Sequence, residues 1–533
     1  MGFGEFPHHS SAEKDNPMSA RLSKTGLPFL LFIVCLALYH VTLAPTITWE
    51  HDGVDSGDLV TAAYTLGIAH PPGYPLYVLL GKLFTFLPVG EVAYRVNLMS
   101  ALFAATSVAL VYFTVLLLQP KTSDLLNNMI IAAASALLLA FSPTFWSQAI
   151  IAEVYSLNAF LAALMVYLVT LYRSTGKDRQ LWIVSLALGL SLGNHLSVLL
   201  LLPGMVFLIL RRGRPKPRSC LAMAGFFLLG ISIYLYLPLR AAQNPPINWG
   251  DPHTWSGFWW TVSGTIYREY AFALPLVYLP GRIASWTNML AQQFTWPGLA
   301  LGLVGIWHLW EYERDYFIFS LTSFGGVAMY ALTYNTTDSY VYLIPSYLLF
   351  TLWIARGASL LLNETLYPWL RKKWGLASSR PHLPCFISLC LLLLPVFLIH
   401  SNYPLLDLSE DRGAYDYAAQ VFADIPSEAL VIADTDPHIF SLWYFRYVVA
   451  TDPEAAVFAK GLIQYRWYRE NLSWHHPQII MPPTGDDPYA LLFALIDANL
   501  PYRPIYLTNP DHQILARYAH SQVGTLYKLG LKG

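Results

Sequence analysis

Charge is what this sequence has least of. Only 12% of its 533 residues are Asp, Glu, Lys or Arg, against about 25% in an ordinary soluble protein. Half the usual charge cannot coat a soluble globule of this size. A formal net charge of −1 gives no electrostatic footprint for nucleic acid. Cysteine is nearly absent too. Cys35, Cys220, Cys385 and Cys390 all fall in or beside apolar runs, so no disulfide framework is implied and no metal-type Cys/His spacing appears. There is no Rossmann-type glycine motif for a nucleotide and no repeat of the solenoid kind.

What is present is a series of apolar runs that approach or exceed about 18 residues, the length of a membrane helix. The run 27–44 reads as a signal anchor that stays attached, behind a disordered cytoplasmic N-terminus, 1–26. The basic clusters "RSTGKDR" (173–179), "RRGRPKPR" (211–218) and "RKK" (371–373) belong on the cytoplasmic side by the excess of Lys and Arg there. Threading the runs between them gives an all-α polytopic domain over 27–400, with about eleven spans and outside loops at 45–95 and 238–293. The run 181–210 must cross twice, bending at "LGNHLS". Residues 74–88 are short and carry Lys82, which fits a helix lying along the outer surface rather than a span. After Ser401 charged residues become frequent. "EALVIADTDPHIF" reads as strand, turn and helix begun near Asp436–Pro437, and "RPIYLTNP" as a second strand. Residues 401–533 are thus expected to form a small extracytoplasmic α/β domain, a platform with no catalytic motif of its own.

The first outside loop carries the sharpest signal, "HDGVDSGDLVTAAYTLGIAHPPGYPLY" (51–77). Asp55 and Asp58 share a face if 55–66 is helical, and Ser56 and Gly57 are small enough for a ligand to approach the backbone. Such carboxylates can take a proton from an attacking hydroxyl or hold a divalent cation, Mg2+ or Mn2+. The competing reading makes Asp55 a helix N-cap. "HPPGYP" is stiff and holds His70 in place, either to meet a phosphate or as part of a structural turn. Further polar groups stand at the ends of spans, where ionisable residues are costly and tend to be functional or paired. Glu153 is a candidate to pair with Arg240, or Arg240 to bind a lipid phosphate through its planar fork. His195 suits a bond to a carbonyl at the bend. The tryptophans of "NWGDPHTWSGFWW" (248–260), Trp249 among them, suit the membrane interface or a sugar ring. Asp338 is another outside acid.

Together "DSGDLVTAAYTLGIAHPPGYPLY", "AEVYSLN", "GNHLS", "YLPLRA" and "NWGDP" resemble the GT-C glycosyltransferases. More closely, they resemble the protein O-mannosyltransferase-related group long catalogued as a domain of unknown function. The resemblance covers residues 30 to 270 well. It implies a polyprenyl-phosphate-linked sugar as donor, inversion at the anomeric carbon, and an acceptor hydroxyl, as on Ser or Thr of an exported protein or on a lipid or glycan. It implies Asp55 as the catalytic acid of the first loop, with Asp58 as its neighbour in acceptor or metal binding. Many relatives carry Glu at the position of Asp58.

The expected activity is therefore an extracytoplasmic glycosyltransferase, in the plasma membrane of a prokaryote or the endoplasmic reticulum of a eukaryote. Asp55 is the general base with Asp58 beside it. Arg240, His70 and Lys82 hold the donor phosphate, and Glu153, His195, Trp249, Asp251 and Asp338 line the substrate path. No metal ligand set is assigned. The reading requires Asp55 and Arg240 to share one outward-opening pocket. A transporter or lipid flippase, using Glu153 and His195 on a proton or substrate path, is the alternative. A membrane scaffold is a third.

Overall fold

The computed structural model describes residues 17–120, 124–374, 383–450, 454–482, 485 and 487–532. The chain is mostly helical, with one small sheet near its end. Among the described residues six helices are long and apolar enough to cross a membrane, seven if the pair Leu125–Ala140 and Pro143–Ala149, bent by 69°, is one span. It is a multi-pass membrane protein. The count falls short of the eleven runs read from sequence because several of those runs fold as short pieces. The run 181–210 becomes a helix Asp178–Leu192, a 3-10 turn Leu196–Leu201 and a helix Leu202–Arg212. At 15 and 11 residues, neither helix reaches the roughly 20 that a bilayer asks. Of the expected disordered terminus, residues 1–16 lie outside the described residues, and from Pro17 the chain is already helical.

Two cores hold the molecule together. One joins the apolar faces of the long helices. The other joins the first loop to the C-terminal domain: Leu59, Tyr77 and Trp249 share it with Phe440, Trp443 and Leu492. Each large apolar side chain buried this way stabilises the fold by about 1.5–3 kcal/mol. The C-terminal domain is thus bolted onto the loop rather than hung beside it. Gly57 shows how closely: a Cβ there would lie 2.5 Å from the Phe440 carbonyl oxygen. Gly57, read from sequence as room for a ligand, is in fact room for the helix Asp436–Tyr444, and Ser56 bonds the Thr48 backbone.

The sheet has five strands: β1 (Leu430–Ala433), β2 (Ala456–Ala459), β3 (Ile505–Leu507), β4 (Ala519–Val523) and β5 (Leu526–Gly530). Their order is β2-β1-β3-β5-β4. β1 runs parallel to both β2 and β3, and β5 is antiparallel to β3 and β4. The chain leaves β1 for a neighbour on one side and later returns on the other. Crevices form at the carboxyl ends of strands where the order reverses in this way. The turn leaving β1 is "DTD", residues 434–436.

The short helix Pro75–Thr85 has 11 residues, about 16 Å at 1.5 Å each. It buries Tyr77 and Val78 and leaves Leu83 and Phe86 exposed, the two-faced pattern expected of a helix that does not span. The helix Tyr155–Thr175 runs from a cavity at Tyr155 to Arg173, which pairs with Asp315 at 2.7 Å. That places Arg173 about 27 Å along the helix from Tyr155.

Candidate active site

A helix Ser56–Thr65 organises the site, and charge is matched to both of its ends. Asp55 precedes its first residue but makes no side-chain cap bond, so the N-cap reading does not describe it. Its carboxylate instead approaches His70 Nε2, at 3.4 Å. His70 is fixed from behind. Its backbone N–H and its Nδ1 both bond Asp58 Oδ2, at 2.9 and 2.8 Å, and Trp249 Nε1 donates to the other Asp58 oxygen at 3.0 Å. Asp58 is wholly buried, so it faces no substrate. The sequence placed it beside an acceptor or metal; the structure makes it the residue that aims His70 at Asp55.

Local backbone explains the arrangement. Gly73 at φ +87 and Tyr74 at φ +42 turn the chain after the two prolines, a conformation glycine adopts freely and tyrosine rarely. The second loop locks on through Ile68 and Asn248, which pair as an isolated bridge, and this seats Trp249 above Asp58. Trp249 is therefore a buried support and not a membrane anchor.

Asp55 and His70 open onto a cavity of about 390 Å3. Asp338 and His195 also line it. It is also lined by groups not foreseen: Asp436 from the turn after β1, Arg268, and the tyrosines Tyr74, Tyr155, Tyr267, Tyr270, Tyr334 and Tyr342. Asp436 had a signal in the strand–turn–helix pattern around it. Arg268 had none, being one arginine in an aromatic loop. No hydrogen bond or ion pair engages its guanidinium among the described residues.

Several expected residues lie elsewhere. Arg240 and Lys82 sit at the other end of the helix Ser56–Thr65, bonded to its last carbonyls: Arg240 to Leu66 at 2.8 Å and Thr65 at 3.3 Å, Lys82 to Tyr64 at 2.6 Å. Ten residues set them about 15 Å from Asp55. Cations belong at a helix C-terminus, where each contributes about 0.3–1 kcal/mol, so the shared pocket expected for Asp55 and Arg240 does not form. Glu153 does not pair with Arg240. It is buried at 3% exposure with Oε1 unpartnered, beneath the cavity rather than in its lining. His195 bonds no carbonyl among the described residues; its Nδ1 lies 2.7 Å from the Ser197 hydroxyl and accepts from the Ser197 backbone N–H at 3.3 Å. Asp251 bonds His253 at 2.6 Å and lines a different groove. Asp52 receives the Tyr340 hydroxyl at 2.6 Å.

The electrostatics follow from burial and neighbours. Burial in the cavity wall, helped by Asp58, Asp436 and Asp338 and opposed by His70, raises Asp55 to about 6. Its side chain keeps 41% of its surface accessible, so it remains reachable by a ligand. Burial pulls His70 down, but Asp55 and Asp58 outweigh it and lift the imidazole to about 9. A divalent cation would have to draw on Asp55, Asp338 and Asp436. Among the described residues no three such side chains converge as a metal site.

Residues 55–219 match the model of the protein O-mannosyl-transferase TMEM260 N-terminal domain. The mouse protein O-mannosyl-transferase TMEM260 is 27% identical over 486 residues, covering 85% of this chain and 65% of its own length. Its Dictyostelium discoideum counterpart is 24% identical, covering 90% and 63%. The chain thus spans a little under two thirds of these curated relatives. Among solved structures it aligns with the Archaeoglobus fulgidus oligosaccharyltransferase AglB in complex with an inhibitory peptide and a dolichol-phosphate, at 10% identity, with a TM-score of 0.49, over 91% of this chain and 70% of that one. Asp55, Asp58, the "HPPGYP" turn and "AEVYSLN" all fall inside the matched segment, and in this region the chain is similar to the protein O-mannosyl-transferase TMEM260 family.

Proposed function

We propose that the protein is a GT-C-type membrane glycosyltransferase that moves a sugar from a polyprenyl-phosphate donor to an acceptor hydroxyl. One observation carries this reading: a reachable carboxylate tuned to about 6 faces a tyrosine-walled cavity that also holds an unengaged arginine. The names of the relatives support a protein hydroxyl, on Ser or Thr, as acceptor, and mannose as the sugar. The positive-inside rule supports a cytoplasmic N-terminus and an extracytoplasmic cavity.

In the proposed reaction the acceptor hydroxyl gives its proton to Asp55 while its oxygen attacks C1 of the sugar. The C1–O bond to phosphate breaks with inversion, and the phosphate leaves with the electron pair. Arg268 is the cation placed to receive that charge. His70, held by Asp58, fixes the direction of Asp55 and stays positive beside it. Phosphate is a fair leaving group, so positioning and charge stabilisation carry most of the catalysis. Mg2+ or Mn2+ is left to a titration of the purified enzyme with EDTA and each ion.

The test is transfer of labelled mannose from polyprenyl-phosphate mannose to a Ser/Thr peptide by the full chain in proteoliposomes, with an inverted linkage expected. Flipping of the labelled lipid without any transfer would replace this reading by the flippase. Two further outcomes are expected. The pH profile of kcat/KM is bell-shaped. Activity falls as Asp55 takes up a proton below about pH 6 and falls again as His70 loses its proton above about pH 9. Both limbs belong to the interacting pair. Arg268→Gln raises the donor KM about 10- to 100-fold, the worth of a hydrogen bond to a charged group. Arg240→Gln leaves donor KM unchanged and lowers the melting temperature.

A further inference from the structure

A second groove lies on the far side of the helix Trp255–Val262 from the cavity. This helix ends at Ser263 and Gly264, which line the cavity, and begins at Thr254 and Ser256, which line the groove. The groove has a volume of about 590 Å3, within the roughly 300–1,000 Å3 of small-molecule sites. One wall is the loop of "NWGDP", the other the helix Arg466–His475 of the C-terminal domain. The wall is built rather than incidental. Gly250 at φ +73 and Asp251 at φ +45 fold the loop so tightly that a Cβ on Gly250 would lie 2.5 Å from the Trp260 ring.

We propose that this groove binds a neutral oligosaccharide, a role that rests on the transferase reading only for its purpose. Three features select that ligand. The rings Trp260, Tyr465 and Trp467 line the groove with centroids 5.5–5.7 Å apart, and no aliphatic side chain lines it among the described residues. Ring faces suit the C–H faces of sugars, while an apolar peptide side chain finds no aliphatic pocket. The polar groups include the carboxylates Asp251 and Glu470 and the Arg466 guanidinium, which bridge neighbouring hydroxyls in pairs, beside His253, Thr254 and Ser256. Glu470 pairs with Arg466 at 2.7 Å, and Asp251 Oδ1 lies 2.6 Å from His253 Nδ1. With two carboxylates beside one guanidinium, the lining offers no net positive charge to hold an anion.

Length is indicated as well. Arg466 and Glu470 also line an adjoining depression that runs on past Trp474, so the path is longer than one ring. Walls made of helix and loop, with no strand edge, offer an extended peptide no ladder to join. The saccharide is either carried by the acceptor or part of a free glycan, and both present the same chemistry.

The experiment measures binding of mannotriose and maltotriose to full-length Asp55→Asn protein in nanodiscs, by saturation-transfer NMR and tryptophan fluorescence. Binding of either trisaccharide is expected, weakened at least 10-fold by Trp260→Ala and by the surface change Glu470→Ala, and unaltered by Asp338→Asn in the cavity. The Glu470 variant guards against misfolding at Trp260. A mannosylated peptide binding more tightly than its bare form places the sugar on the acceptor; equal binding of the free trisaccharide and the mannosylated peptide places it on a free glycan. Either result supports the groove. Absence of trisaccharide binding, sensitivity to Asp338→Asn alone, or groove-dependent binding of the bare peptide overturns it. Transfer by the wild-type chain is assayed apart: loss of the groove with transfer intact removes only this inference, and trisaccharide binding without transfer removes only the transferase.

Discussion

Asp55→Asn is expected to abolish transfer, with a fall in kcat of about 10^2- to 10^4-fold, the usual contribution of a positioned general base. The protein itself is expected to survive the change. Asp55 makes no cap bond and is 41% accessible, so its replacement by an isosteric amide should alter stability by no more than about 0.5 kcal/mol. The sign can be argued further. A carboxyl raised to about 6 prefers its protonated form in the folded state. Between the unfolded value and neutral pH, its ionisation therefore works against folding. Asparagine removes that cost, at the loss of one neighbour for His70. Equal or slightly higher melting temperature with lost transfer is the trade-off between stability and activity expected of a tuned base. Full transfer by Asp55→Asn would sink the assignment.

Asp58→Ala should fail in the opposite way. The carboxylate is wholly buried and receives three donors, the His70 N–H, His70 Nδ1 and Trp249 Nε1. Removing it strands all three and leaves a buried imidazolium without its closer partner. Breaking a buried pair by deleting one member costs about 3–5 kcal/mol, a large share of a typical fold's stability. The expected result is a clear drop in melting temperature together with lost transfer. Asp58→Asn is the informative companion: its oxygen can serve one set of donors while its amide faces the other. It should recover part of the stability and little of the activity, because His70 is no longer held in place. A wild-type melting temperature for Asp58→Ala would contradict the buried network.

These two carboxylates show how far the sequence reached. They stand three residues apart and look alike in the loop, and both were read as chemistry. Only the fold separates them: Asp55 faces the cavity and Asp58 faces inward, under His70. Arg240 and Lys82 were misplaced for a related reason. A cation beside an outside loop suits a lipid phosphate as well as it suits a helix C-terminus, and spacing does not distinguish the two. Arg268 lies in the same loop region, and nothing in "YREY" marks it as the arginine whose turn points to the cavity. The C-terminal domain was read as a platform. Its first strand and the helix at Asp436 were legible from the apolar run and the Asp-Pro start. That this turn would deliver Asp436 to a membrane cavity was not, because the contact joins residues nearly four hundred positions apart.

Composition and local pattern alone established a membrane protein with an acidic first loop, a short helix at the "HPPGYP" turn, and an α/β segment at the end. Low charge and apolar run length act within tens of residues, so they can be read along the chain. The tertiary structure alone decided which acid meets solvent, which arginine is free, and that the last domain closes the site. Those choices depend on which side chains burial and hydrogen bonding bring together across the fold, and the order of residues does not record them.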